Sequence, residues 1–207
     1  MHKLKKEKGA GMIEVLVALL LLAIGVLGFT ALQLRAVEAT NEALNRVQAM
    51  NIARDFAERI RINPYALTLL KADNTAIQSS SDSSAYVSAI NNNKDSEDAY
   101  TWSSCYQTNS CTSSQLATQD VQQVVNKAFS QGMKINLIPC KSSTTTTGTN
   151  ADGKEETTVS PSDIANQRMC IYVAWDKTTP SDGADENSCA QYGIYKDNSK
   201  CVILEAY

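Results

Sequence analysis

Residues 15–34, VLVALLLLAIGVLGFTALQL, form a run of 20 positions without a charged side chain. As a helix, a run of about 20 apolar residues has the length needed to cross the hydrocarbon layer of a membrane. The nine residues at the start, MHKLKKEKG, carry Lys3, Lys5, Lys6 and Lys8 against Glu7. That basic segment favours a cytoplasmic N-terminus, so the rest of the chain is expected on the far side of the membrane. Everything after Arg35 is polar, with Ser/Thr-rich and Asn/Asp-rich stretches.

Charge and composition narrow the function classes. The 207 residues carry a net charge of −3, which argues against a broadly basic nucleic-acid binder. Lys127, Lys134, Lys141, Lys154, Lys177, Lys196 and Lys200 are scattered rather than clustered, so no direct nucleic-acid binding is expected. The single histidine, His2, lies in the basic leader. Ser-His-Asp and Cys-His catalysis and Cys/His zinc sites therefore lack an essential ligand or base. No catalytic residue, cofactor-binding residue or metal site is expected. All six cysteines (Cys105, Cys111, Cys140, Cys170, Cys189 and Cys201) follow the apolar run. An even number in an exported domain reads as three disulfides formed in an oxidising compartment.

The start of the chain is a processing signal of an uncommon kind. A standard secretory signal places its small-residue cleavage site after an apolar stretch of about 7–15 residues. Here the small residues, Gly9, Ala10 and Gly11, precede a longer apolar stretch. A cut at that point removes the basic leader and keeps the hydrophobic helix. Glu14 sits at the edge of the uncharged run, between Ile13 and Val15. An acidic side chain inside a bilayer costs roughly 2.5–3.5 kcal/mol on insertion scales, which makes it a functional candidate.

These residues together resemble the class III signal of type IV prepilins. That signal is a short basic leader ending in Gly, then a hydrophobic helix with Glu at its fifth residue. Lys8-Gly9 would end the leader, and Ala10-Gly11-Met12-Ile13-Glu14 places the glutamate fifth. The resemblance implies cleavage between Gly9 and Ala10 by the membrane prepilin peptidase and N-methylation of Ala10. The new α-amino group, with an intrinsic pKa of about 7.7–8.0, is largely cationic near neutral pH. Such a cation can neutralise the Glu14 of a neighbouring subunit in an apolar bundle, setting register more than adding net stability.

No proline interrupts a helical pattern from Ala10 to Asn63, and Gly25 and Gly28 are its weak points. Val37, Leu44, Val47, Ala53, Phe56, Ala57 and Ile60 recur at helical spacing among charged residues. The pattern predicts an amphipathic helix whose apolar stripe covers a globular domain. Pro64 ends it. About 54 helical residues give a rod of roughly 80 Å. The expected organisation is a leader over 1–9, an assembly and transmembrane half-helix over 10–34, an amphipathic half-helix over 35–63, and a head over 64–207.

Within the head, residues 65–111 read as a long connection with a short helix near Ala85–Ile90. Thr112 with Gln115 is a capping-box pattern that opens a helix over 112–131, and Gly132 is a candidate cap at its end. Lys134–Ile138 alternates like a strand, while 142–158 reads as a low-complexity loop. Met169–Trp175 and Cys201–Ala206 are β-rich, and Tyr192–Tyr195 is a short strand candidate. A long helix followed by a small antiparallel sheet makes an α+β domain. Six cysteines permit 15 pairings; spacing favours Cys105–Cys111, Cys189–Cys201 and then Cys140–Cys170.

The stretch GMIEVLVALLLLAIGVLGFTALQLRAVEATNEA, the AERIRINP helix end, CTSSQLATQDVQQVV and the strand Ile171–Asp176 are similar to the PilV group of minor pilins, the type IV pilus modification proteins. This implies a low-abundance structural subunit that joins other minor pilins and the major pilin through its N-terminal helix. It also implies a place at the pilus tip beside a large adhesin, in support of adhesion and twitching motility. A minor pseudopilin of a type II secretion system shares the leader and long helix. A membrane-anchored periplasmic enzyme is a third reading, and it has no recognisable nucleophile motif behind it.

Overall fold

A computed structural model describes residues 11–67, 84–93, 105, 110–149, 155–162 and 168–206. Side-chain positions are not described for 142–162. Helix α1 runs without a break from Met12 to Ile62. The chain divides into two compact units, Met1–Leu44 and Asn45–Tyr207. The first contains the apolar part of α1. The expected leader and the Gly9-Ala10 junction lie outside the described residues.

In the second unit α1 buries Ala49, Ile52, Ala53, Phe56 and Ile60, the 3–4 spacing of one helix face. Asn63 follows, and Pro64–Ala66 makes a single 3₁₀ turn. Helix α2 spans Ala85–Asn93 and α3 spans Ser113–Ser130. The start of α3 is fixed by a reciprocal capping box. The Gln115 backbone N–H donates to Thr112 Oγ1 at 3.3 Å, and the Thr112 N–H donates to Gln115 Oε1 at 2.9 Å. At the other end Gly132 takes φ +70°, a conformation glycine adopts without a Cβ penalty, and its N–H donates to the Phe129 carbonyl.

Three strands form the central sheet in the order β1 (Met133–Pro139), β4 (Met169–Trp175), β8 (Cys201–Ala206), all antiparallel. Strand β4 is buried along its whole length, so its two faces serve two cores. Met169, Ile171, Val173 and Trp175 join Met133, Ile135 and Leu137 against Phe56, Tyr86, Ile90, Val121 and Val124 of the helices. Cys170, Tyr172 and Ala174 point the other way and pack with Cys189, Ala190 and Cys201. That second face is covered by a small sheet, β5 (Thr179–Asp182), β6 (Ser188–Gln191) and β7 (Ile194–Tyr195). Phe56 meets Tyr86 edge to face, with ring centroids 5.8 Å apart.

Two expectations are corrected. Residues 142–158 are not a loop: Ser142–Thr149 (β2) and Glu155–Ser162 (β3) pair as an antiparallel two-stranded ladder. Threonine is β-branched and suits a strand even where no apolar alternation marks one. The apolar stripe expected to cover the head also starts later than its periodicity suggested. Val37, Leu44 and Val47 are more than half exposed, and burial on α1 begins at Ala49. Periodicity identifies an apolar face but not what covers it.

Candidate functional site

The most exposed apolar surface among the described residues is the first half of α1. Its 18-residue apolar window is long and hydrophobic enough to span a membrane, and none of it is buried. Apolar side chains project all round, which is how a helix reads when lipid or other helices surround it. Glu14 lies in its first turn, flanked by exposed Ile13 and Val15, and its backbone N–H donates to the Gly11 carbonyl at 2.9 Å. Negative charge at this end of a helix is stabilised by the helix dipole. Ala10 and Gly9 fall outside the described residues, so only Glu14 of the processing constellation has a described position.

In the second unit a polar lock holds residues 45–62 of α1 to α2 and α3. Arg59 donates from Nε to Asp55 Oδ1 at 3.0 Å, and from Nη1 to Asp120 Oδ1 at 2.9 Å and Gln123 Oε1 at 2.8 Å. Lys127 Nζ donates to the other Asp55 oxygen at 2.9 Å. The Tyr86 hydroxyl donates to Asp120 Oδ2 at 3.0 Å. Burial pushes the Asp55 carboxyl up, but hydrogen bonds from Lys127 and Arg59 outweigh it and hold the group below its ordinary value. Burial and the adjacent Asp120 charge push the Tyr86 phenol upward. Asn63 adds a hydrogen bond from Nδ2 to the Ser113 carbonyl at 2.8 Å.

Three disulfides close the cysteine inventory: Cys105–Cys111, Cys140–Cys170 and Cys189–Cys201. Cys189 and Cys201 are fully buried beneath the β5–β7 layer, which they tie to β8. The β6–β7 turn puts Tyr192 at φ 55° and Gly193 at φ 76°, the doubly left-handed pair of a tight hairpin. Left-handed backbone is costly for a tyrosine. The Asp182 carboxylate offsets this by accepting both turn N–H groups, from Tyr192 at 2.8 Å and Gly193 at 2.7 Å, and a hydrogen bond from the Tyr172 hydroxyl at 3.3 Å. Lys141 Nζ stands 3.8 Å from Asp182 Oδ1. Sequence reasoning missed Asp182. The one available signal was the Asp182-Gly183 pair, which starts three residues after Thr179 and two after Pro180.

These groups are architectural: the carboxylates are occupied by fixed donors and the sulfurs by one another. Among the described residues, no group of three or more His, Cys, Asp or Glu side chains converges as a metal site.

Residues 31–122 match a family model described as Tt1218-like, type IV pilin Tt1218. The matched span takes in the lower part of α1, α2 and most of α3. Neither the curated proteins nor the solved structures gave a match. A long N-terminal helix with an apolar segment, a small antiparallel sheet and disulfides make an α+β fold of the type IV pilin kind. The matched span is under half of the chain; it makes this part of the chain similar to a type IV pilin, and the helix that enters it carries an apolar segment long enough to span a membrane.

Proposed function

We propose that the chain is a minor pilin of a type IV pilus, of the PilV kind, and acts as a non-enzymatic subunit. In this reading prepilin peptidase cuts between Gly9 and Ala10, and Ala10 is N-methylated. Before assembly the protein crosses the inner membrane once, with its N-terminus cytoplasmic and its head periplasmic. The helix then leaves lipid for the fibre, packing with the major pilin and other minor pilins. The subunit helps to prime assembly and sits at or near the tip, beside a large adhesin, in support of adhesion and twitching motility.

One observation carries this reading: a wholly exposed apolar helix with a single acid, Glu14, in its first turn. Lipid alone has no use for that acid, whereas the cationic N-terminus of a neighbouring subunit neutralises it. The disulfides support residence of the head in an oxidising compartment. Deleting the gene should reduce surface fibres and twitching while leaving enzyme secretion intact. Loss of secretion with normal twitching would instead assign the chain to a type II secretion pseudopilin. Glu14→Ala should remain in the membrane fraction and enter fibres poorly; normal incorporation would remove the pairing role.

A further inference from the structure

Leu34, Val37, Asn41 and Leu44 are all exposed on α1 and follow one another at steps of three, four and three. The same steps run upstream through Leu20, Ala23, Leu27 and Thr30. Alternating steps of three and four give a seven-residue repeat, the period at which two helices keep one seam in contact. In the apolar run the seam alternates leucine with a small residue. Small residues at Ala23 and Thr30 let two backbones approach within lipid. The Thr30 hydroxyl donates to the Leu27 carbonyl at 2.9 Å, so its polar atom is satisfied inside its own helix.

Lipid accounts for the seam only as far as Leu34. Arg35, Glu38, Glu42 and Arg46 mark the next stretch as lying outside hydrocarbon. There Val37 is 57% and Leu44 54% exposed, with the Asn41 amide between them. An apolar pair facing water with one amide inside it is the composition of a seam that another helix covers.

We infer that this seam holds a second copy of the same chain, as a parallel and in-register pair in the membrane. The inference rests on the membrane-anchored state proposed above. Two copies held by the same residues 15–34 lie at the same depth and point the same way. Each seam residue then meets its own counterpart: Val37 with Val37, Asn41 with Asn41, Leu44 with Leu44. One Asn41 donates its amide N–H to the carbonyl of the other. A slip of one seven-residue repeat would set one Asn41 amide against Leu34 and the other against Gln48, losing the matched amide pair, so the single asparagine favours the in-register arrangement of two strands. Across such a pair Gln33 of one helix faces Glu38 of the other, and no like charges meet. Glu38 is already paired with Arg35 of its own helix at 3.4 Å.

The test uses the full-length chain in membranes of its host. Single cysteines are placed on the seam (Val37→Cys, Asn41→Cys, Leu44→Cys) and on the opposite face (Ala39→Cys, Ala43→Cys, Arg46→Cys). Membranes are oxidised with copper phenanthroline, and products are sized without reduction and identified by mass spectrometry. Seam positions should give about tenfold more disulfide-linked homodimer than the opposite face, following the repeat. Adding Leu44→Glu to the Val37→Cys chain should cut its dimer about fivefold or more while the head keeps its three disulfides, because Leu44 lies outside the core. Equal yield at all six positions, or seam cross-links to a different chain alone, would overturn the pair while leaving membrane anchoring intact. A chain absent from the membrane fraction would overturn the anchoring and the pair together.

Discussion

The two compact units use apolar residues in opposite ways. In Met1–Leu44, leucines and valines stand exposed along α1. In Asn45–Tyr207, apolar residues make up a smaller share and are spread between polar ones, yet Ile52, Phe56, Tyr86, Ile171 and Tyr172 are among those sealed in two cores on either side of β4. Apolar content therefore does not decide burial; the presence of a partner element does. On the function proposed above, the first unit finds its partners outside the molecule, as lipid or other helices. The second supplies its own, and strengthens them with a charged lock and three disulfides.

The sharpest contrast comes from truncating one large side chain in each unit. Phe56→Ala should destabilise the head by about 3–5 kcal/mol, since the ring is fully buried against Tyr86. Leu27→Ala, at a position 69% exposed, should leave head stability unchanged. Denaturant unfolding of the detergent-solubilised chain, followed by fluorescence of buried Trp175, measures both. Equal losses would erase the distinction between the units.

Opening the buried Cys189–Cys201 bridge with serines should cost the head about 3 kcal/mol, the scale expected for a loop of this size. The loss should appear as easier proteolysis near the Tyr192–Gly193 turn, while residues 12–44 keep their helical signal. Arg59→Ala should cost about 2–3 kcal/mol, because it strands the nearly buried Asp120 without its cation. Asp120→Asn in the Arg59→Ala background should restore part of that loss, measured by the same unfolding curves.

The smallest effect is acid sensitivity. The folded Asp55 carboxyl titrates below its unfolded value, so its contribution is present above the unfolded pKa of about 3.9 and is lost as pH falls through the folded value. Head stability should decline below about pH 4, and Asp55→Asn should flatten that decline. An unchanged slope would mean that the Lys127 and Arg59 contacts do not persist in solution.

The helix of the first unit can be read from sequence because its signal is local, an uncharged apolar run that the structure has within the unbroken α1. The capping box at Thr112 and Gln115 is local in the same sense, and it stands in the fold. Where the decisive contact is remote, pattern reading fails. Asp182 organises a turn ten residues away, and the Asp182-Gly183 pair beside it signals a local turn, not that remote role. Strand β5 contains Pro180 and pairs irregularly with β6, so it carries neither alternation nor an apolar run. The Thr-rich β2 and β3 have backbone pairing but no apolar face to betray it. Val37 and Leu44 show the converse, a clear apolar period that stands exposed.

The central claim is that maturation keeps the apolar helix and exposes a new amino group to pair with Glu14. Mass spectrometry of the N-terminal peptide from sheared surface fibres tests it most directly. The account predicts a peptide that begins at N-methylated Ala10 and runs into the apolar segment. A chain that still begins at Met1, or one that has lost residues 15–34, would contradict it.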